Sequence, residues 1–276
     1  MDEYKFKELE KKAAEIRRLI VRMVGVGRQG HLGGSCSIAD IVAFLYFGWM
    51  KTDPANPRNE DRDRFILSKG HAAIAQYAAL AMAGYFPAEE LDSVKKLGAM
   101  LQGHPDANKT PGVEANTGSL GQGLSIGNGM ALALRLNNSP RRVYVMIGDG
   151  EIAEGQIWEA AMAASNFRID NLTAFVDKNN LQAMGAVAER FDTNPLIPKW
   201  RAFGWHAVEI DGHDFTQIAG TLNEAVSVKG KPTVIIANTV KGKGVSFAEN
   251  KIEFHNGVLT KEQYGLAMDG LKEALV

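Results

Sequence analysis

Apolar residues recur with two different spacings along this chain, and the two spacings alternate. Phe6, Leu9, Ala13, Ile16, Ile20 and Met23 fall on one stripe, which predicts an amphipathic helix at the start of the chain. SIADIVAFLYFGWM predicts a second helix, with Ser37 as its cap and Asp40 three residues on. The polar, proline-containing stretch from Asp53 to Asp63 reads as a loop, RFILS as a short strand, and HAAIAQYAALAMAG as a helix ended by Gly84. Leu97 to Ser119 is irregular. Gly121 to Leu136 reads as an alanine- and glycine-rich helix, on which Gly123, Gly127 and Gly129 would allow the close helix approach of an interface. RRVYVMI and LTAFVD are β-branched, apolar runs of the kind that make buried strands. Between them EGQIWEAAMAASNF reads as a helix, with Ile157, Ala160, Ala161 and Ala164 on one face. Ala183 to Pro198 reads as a loop. WHAVEI and PTVIIANT are two further strands, with a helix near Phe215–Val228 between them, and a last amphipathic helix runs from Lys261. Strands alternating with helices predict an α/β fold, a mostly parallel central sheet with helices on both faces. No linker or repeat divides the chain, so one domain over residues 1–276 is expected.

Composition narrows the function classes. A formal net charge of −1 carries no basic excess for nucleic acid, and no apolar run approaches the roughly 20 residues of a membrane span. Cys36 is the one cysteine, so no internal disulfide is possible and a reducing cytoplasm is expected. The charged start does not resemble a signal peptide.

Chemistry gathers where the strands end. Gly148-Asp149-Gly150 follows RRVYVMI, and 28 residues separate Gly150 from the pair Asn179-Asn180, which follows LTAFVD. Two parallel strand ends thus bring an oxygen ligand each to one place, the end of an open α/β sheet where ligands bind. Carboxylate and amide oxygens suit a hard cation such as Mg²⁺ that keeps positions open for phosphate. A lone Asp-Gly turn would carry no such meaning; triplet, spacing and both flanking strands together do. Gly25-Val26-Gly27-Arg28-Gln29-Gly30 also matches a dinucleotide pattern, but a helix and not a strand precedes it, so a helix-ending loop is expected there. Four histidines, His31, His71, His104 and His255, lie in loops, and histidine suits hydroxyl-rich substrates because it transfers protons near neutral pH. His206 and His213 read as structural.

The strand–GDG–helix–strand–Asn unit resembles the thiamine diphosphate motif. GHLGGSCSIADI, RDRFILSKGHAA, GHPDANKTPGVEANTGSLGQGLSIGNGMA, GDGEIAEGQIWEA, FGWHAVEIDGH and VKGKGVSF resemble transketolase, in that order, over essentially the whole chain. The likeness covers that family's N-terminal, pyrophosphate-binding domain, as in the N-terminal subunit of a split transketolase. It implies a thiamine diphosphate-binding fold, with Asp149, Asn179 and the Leu181 carbonyl on Mg²⁺ (Ca²⁺ or Mn²⁺ being the alternatives). It further implies Gly34, His71, Gly118, Ser119, Leu120, Gly150, Lys241 and His255 at the cofactor, with Glu154 near the subunit interface. His31 and His255 would move protons at the sugar carbon where the bond breaks, and His104 would bind the C1 hydroxyl of the ketose. The expected activity is transfer of a two-carbon ketol unit between sugar phosphates. The expected partner is a C-terminal transketolase subunit, with pyrimidine-binding and C-terminal domains, in a heterotetramer. Other enzymes of this cofactor, deoxyxylulose-phosphate synthase or the alpha subunit of a 2-oxo-acid dehydrogenase, share the metal motif, and a non-catalytic binding subunit would keep the fold. The four histidines weigh against the dehydrogenase, whose acyl chemistry handles no polyol.

Overall fold

The structure, a computed structural model, describes residues 3–275. Five strands form the central sheet: β1 (Arg64–Leu67), β2 (Val143–Gly148), β3 (Leu172–Lys178), β4 (His206–Asp211) and β5 (Thr233–Asn238). Their spatial order is β1-β2-β3-β5-β4, and every neighbouring pair is parallel. The unbroken apolar runs have the expected cause. Phe65, Leu67, Tyr144, Met146, Phe175 and Ile235 enter one core, and Ile66, Val145, Ile147, Ala174, Val176 and Ile236 enter a second core on the other face. Side chains alternate along a strand, so both cores need apolar residues when both faces are covered.

The first core packs under α1 (Glu3–Val24), α3 (Ala39–Phe44), α4 (Ala73–Ala83) and α9 (Phe215–Ser227), with α2 (Leu32–Cys36) beside them. The second lies under α5 (Gln122–Leu136), α6 (Gly155–Asn166) and α8 (Leu196–Ala202); α7 (Val187–Arg190) precedes α8, and α10 (Lys261–Glu273) closes the chain against α1. The predicted stripe of α1 is buried at Leu9, Ala13, Ile16, Ile20 and Met23, and that of α6 at Ile157, Ala160, Ala161 and Ala164. The G-x-G-x-x-G segment ends α1, with Gly25 and Gly27 at positive φ. Gln29–Gly30 then pairs antiparallel with Gly257–Val258, which brings the loops of His31 and His255 side by side. No helix among the described residues is long and apolar enough to cross a membrane.

Three expectations need correction. The helix predicted to begin at Ser37 starts later and is shorter: Ser37 follows the end of α2, α3 runs over Ala39–Phe44, and a π-helical turn follows over Leu45–Trp49. Ser37 ends α2, its N–H donating to the Gly33 carbonyl at 3.1 Å, and does not cap the start of α3; its Oγ lies 2.8 Å from the Asp177 carboxylate, a buried acceptor with greater need of a donor. The segment from Ala183 to Pro198 is not a plain loop. It holds a small hairpin (Leu181–Gln182 with Gly185–Ala186), α7 and the first turn of α8, anchored by buried Val187 and Leu196. Pro195 and Pro198 sit at the start of α8, where backbone N–H groups have no helical partner, so they start the helix and do not break it. Finally, Gly123 and Gly127 face the sheet of their own chain. A Cβ on Gly123 would meet Ser68 Oγ at 2.4 Å and one on Gly127 would meet Val145 Cγ2 at 2.6 Å, whereas Gly129 faces open space.

Candidate active site

Four strand ends converge at the C-terminal edge of the sheet. β1 leads to Ser68, Lys69 and His71, β2 to Asp149, β3 to Asn179 and Leu181, and β5 to Thr239 and Lys241. They enclose a cavity of about 260 Å³. Of the residues expected at the cofactor or metal, Gly34, His71, Leu120, Asp149, Gly150, Glu154, Asn179, Leu181, Lys241 and His255 line it. Gly118 and Ser119 do not line it, and Ser119 is exposed. A larger hollow of about 470 Å³ lies beside Arg64, Leu134 and Pro140, at the opposite edge of the sheet, and no histidine lines it.

Asp149 is buried at the end of β2. Its Oδ1 accepts from Gly150 N at 2.8 Å and its Oδ2 from Asn180 N at 2.5 Å. Burial, reinforced by the nearby Asp177 charge, nevertheless pushes its carboxyl up to about 6. A cation beside it would draw an acid held this far above its ordinary range back down. Asn179 Oδ1 accepts from Leu181 N at 3.1 Å, and the Leu181 carbonyl accepts from the Lys241 ammonium at 2.9 Å. Burial, and then Lys69, lower Lys241 to about 8. One carboxylate, one amide oxygen and one backbone carbonyl form a donor set for a hard divalent cation, and the site already holds one positive charge at the third of them. Among the described residues no group of three or more His, Cys, Asp or Glu stands together as a metal site, so the donor set relies on amide and backbone oxygens beside the one carboxylate.

Three charged residues that the sequence reading did not single out support this edge. Lys69 and Asp177 are fully buried and pair at 2.5 Å, and Lys69 also donates to the Gly34 carbonyl at 2.6 Å. Burial alone would raise Asp177; the Lys69 ammonium and donors from Thr239 and Ser37 outweigh it and hold the group below its ordinary range. Glu151 accepts from Ser68 Oγ at 2.5 Å, Gly121 N at 2.8 Å and Gly148 N at 3.0 Å, so one carboxylate ties the loops before α5 and after β2. The signal was present: a charge abutting a strand buried on both faces requires a partner.

The four loop histidines meet. Ring centroids lie 5.3 Å apart for His31–His71, 5.6 Å for His31–His255, 5.0 Å for His71–His255 and 6.3 Å for His31–His104. Burial is the largest cause holding each below its ordinary value, with Lys95, Lys241 or Lys69 adding repulsion. His31 falls to about 4, His71 to about 2 and His255 to about 3, and His104 is lowered. All four are neutral at pH 7. The Nδ1 atoms of His31 and His255 are buried without a hydrogen-bond partner, so two nitrogens are left for a polar ligand. Gly118 has φ 133°, and a Cβ there would meet His104 Cδ2 at 2.6 Å; only glycine lets the backbone pass under that ring. His213 is structural, as expected: its Nδ1 meets Asp40 at 2.6 Å and its Nε2 accepts from Val240 N at 2.9 Å, which anchors the Lys241 loop. His206 lies 2.9 Å from Glu224, away from the cavity.

Comparison with known proteins gives this geometry its relatives. Residues 9–270 match the family described as transketolase, thiamine diphosphate binding domain. The chain is 48% identical to the 6-deoxy-6-sulfo-D-fructose transketolase subunit SqwG of Clostridium sp. (strain MSTE9), over 96% of this chain and 97% of that one. It is 44% identical to an apulose-4-phosphate transketolase subunit of Actinobacillus succinogenes, over 97% of each. Among solved structures, transketolase from Leishmania mexicana superposes with a TM-score of 0.90 at 33% identity, covering 96% of this chain but 41% of that one.

Proposed function

The chain belongs to the transketolase family, as its thiamine diphosphate-binding domain, and on that premise we propose that it is the N-terminal subunit of a split transketolase. The enzyme moves a two-carbon ketol unit from a ketose phosphate to an aldose phosphate. The observation that carries this reading is the pairing of two features at one sheet edge: an oxygen donor set on adjacent strand ends, and four neutral histidines beside it.

Asp149, Asn179 and the Leu181 carbonyl would hold Mg²⁺, or Ca²⁺ or Mn²⁺ by the same chemistry. Lys241 and His71, with backbone at Gly34 and Gly150, would face the diphosphate, and Leu120, with Gly118 and Ser119 just outside the cavity lining, would meet the cofactor elsewhere along its length. Thiamine diphosphate, when bound, supplies the electron sink that lets the bond next to a ketose carbonyl break. The protein's own work is positioning and proton transfer. His255 and His31, neutral and each with a free Nδ1, can take the proton from the C3 hydroxyl of the donor and return one to the acceptor. His104, less buried, would orient the C1 hydroxyl. Burial first, and then repulsion from Lys95, Lys69 and Lys241, keeps the cluster unprotonated and therefore able to accept.

The rest of the active site is assigned to a partner subunit with the pyrimidine-binding and C-terminal domains, in a heterotetramer. Coverage supports this: nearly all of two relatives named as subunits, but about two-fifths of the Leishmania mexicana chain. The chain itself reads as one domain, with exposed Glu154 at the partner's edge. The relatives are named for 6-deoxy-6-sulfo-D-fructose and apulose-4-phosphate, which supports sugars with an anionic group as substrates. Cys36 is buried and its thiol is pushed up to about 12 by burial, an unreactive state that suits a reducing cytoplasm.

The metal assignment is tested by Asp149→Ala. Calorimetry of the assembled complex with Mg²⁺ should find no thiamine diphosphate binding, because the charged ligand is gone. Unchanged affinity would remove Asp149 from the site.

A further inference from the structure

Asp177, at the end of β3, is pinned from four segments of chain. Its Oδ2 lies 2.8 Å from Ser37 Oγ, 2.5 Å from Lys69 Nζ and 2.8 Å from Asn179 Nδ2, and Thr239 Oγ1 donates to its Oδ1. The bond to Asn179 has a chemical consequence. An amide side chain has two unlike ends of nearly the same shape, and only the oxygen can bind a cation. An ionised carboxylate only accepts hydrogen bonds, so it selects the NH₂ end of Asn179. The Oδ1 end is turned towards Leu181, whose N–H it meets at 3.1 Å.

We infer that Asp177 is a positioning residue of the metal centre: it fixes the Asn179 side chain oxygen-first towards the cation, with Lys69 as the counter-charge that lets a carboxylate sit buried there. The inference rests on the reading of Asp149, Asn179 and Leu181 as metal ligands. Loss of Asp177 frees the amide to turn over and present two N–H groups to the ion. Partners that orient a ligand in this way typically contribute about 10–100-fold to metal affinity.

Mn²⁺ is titrated in the presence of thiamine diphosphate into the full chain assembled with its partner subunit, bound and free ion being separated by electron paramagnetic resonance. Asp177→Asn should weaken Mn²⁺ binding by about 10–100-fold. Two double variants separate orientation from charge and from folding. Asp177→Asn/Lys69→Met removes both buried charges, so the local net charge matches the parent; its Mn²⁺ affinity should stay weak. Asp177→Asn/Asn179→Asp swaps the two groups. The carboxylate at 179 offers oxygen at both ends and needs no orienting, so affinity should return to within a few-fold of the parent. Recovery in the charge-neutral variant, or a swap as weak as Asp177→Asn, overturns the inference. A failure of Asp177→Asn to fold leaves the swap to decide against the parent. A parent that takes up no Mn²⁺ sinks the ligand assignment, and the inference with it.

Discussion

Burial of neutral His71 gives the chain an acid weakness that can be calculated. The ring is held at about 2 against an ordinary 6.5, first by burial and then by the charge of Lys69. The sign follows from proton counting. Below pH 6.5 the unfolded chain takes up a proton that the folded chain refuses, so stability is complete above that value and falls as pH drops. Between pH 7.5 and pH 5 the loss from this one ring is about 2 kcal/mol, from 1.36 kcal/mol per unit over the 1.5 units below 6.5. That is a large share of an ordinary stability of about 5–15 kcal/mol. His31 and His255 act in the same sense, less strongly because each is partly open to water. Asp149, held up at about 6, opposes them, so the raw pH curve alone does not isolate the effect. A difference does. His71→Gln removes the titrating ring, and urea unfolding of both proteins at pH 7.5, 6 and 5 should show the variant gaining about 2 kcal/mol on the parent at the lowest pH. Parallel curves would mean that His71 is not held neutral, and the case for a proton-accepting cluster would fail with it.

Two further outcomes follow from the site and its scaffold. His255→Ala should lower turnover by roughly 10²–10⁴ while thiamine diphosphate affinity changes little; steady-state donor cleavage and calorimetry side by side decide, and a loss confined to cofactor affinity would make His255 a clamp only. On α5, Gly127→Ala should destabilise by about 1–3 kcal/mol, since its methyl meets the buried Val145 at 2.6 Å. Gly129→Ala should stabilise by up to about 1 kcal/mol, through helix propensity in open space. Denaturation of both variants checks this, and equal effects would contradict the close contact of α5 with the sheet.

What was legible in the sequence was local. The strands showed because their two-sided burial makes runs of β-branched residues, and Asp149 and Asn179 showed because each interrupts such a run at its end. The network around Asp177 was not legible: Ser37 lies 140 residues away in the chain and Lys69 lies 108 away, and no spacing rule joins them. For the same reason a capping pattern at Ser37 misled; serine serves a helix end or a buried carboxylate equally well, and the fold decides. The histidines needed the family resemblance to be brought together, since loops carry no periodicity. The hairpin and short helices between Leu181 and Ala202 are too brief for an apolar stripe to repeat. Gly123 and Gly127 were read as an interface when their close contacts are with their own sheet.

The central claim is that this chain supplies the diphosphate half of a shared catalytic site. Its most direct test is the activity of the purified chain, at saturating thiamine diphosphate and Mg²⁺, assayed for ketose cleavage with and without the candidate C-terminal subunit. The account predicts no transketolase activity from the chain alone and its appearance on mixing. Full activity from the single chain would contradict it.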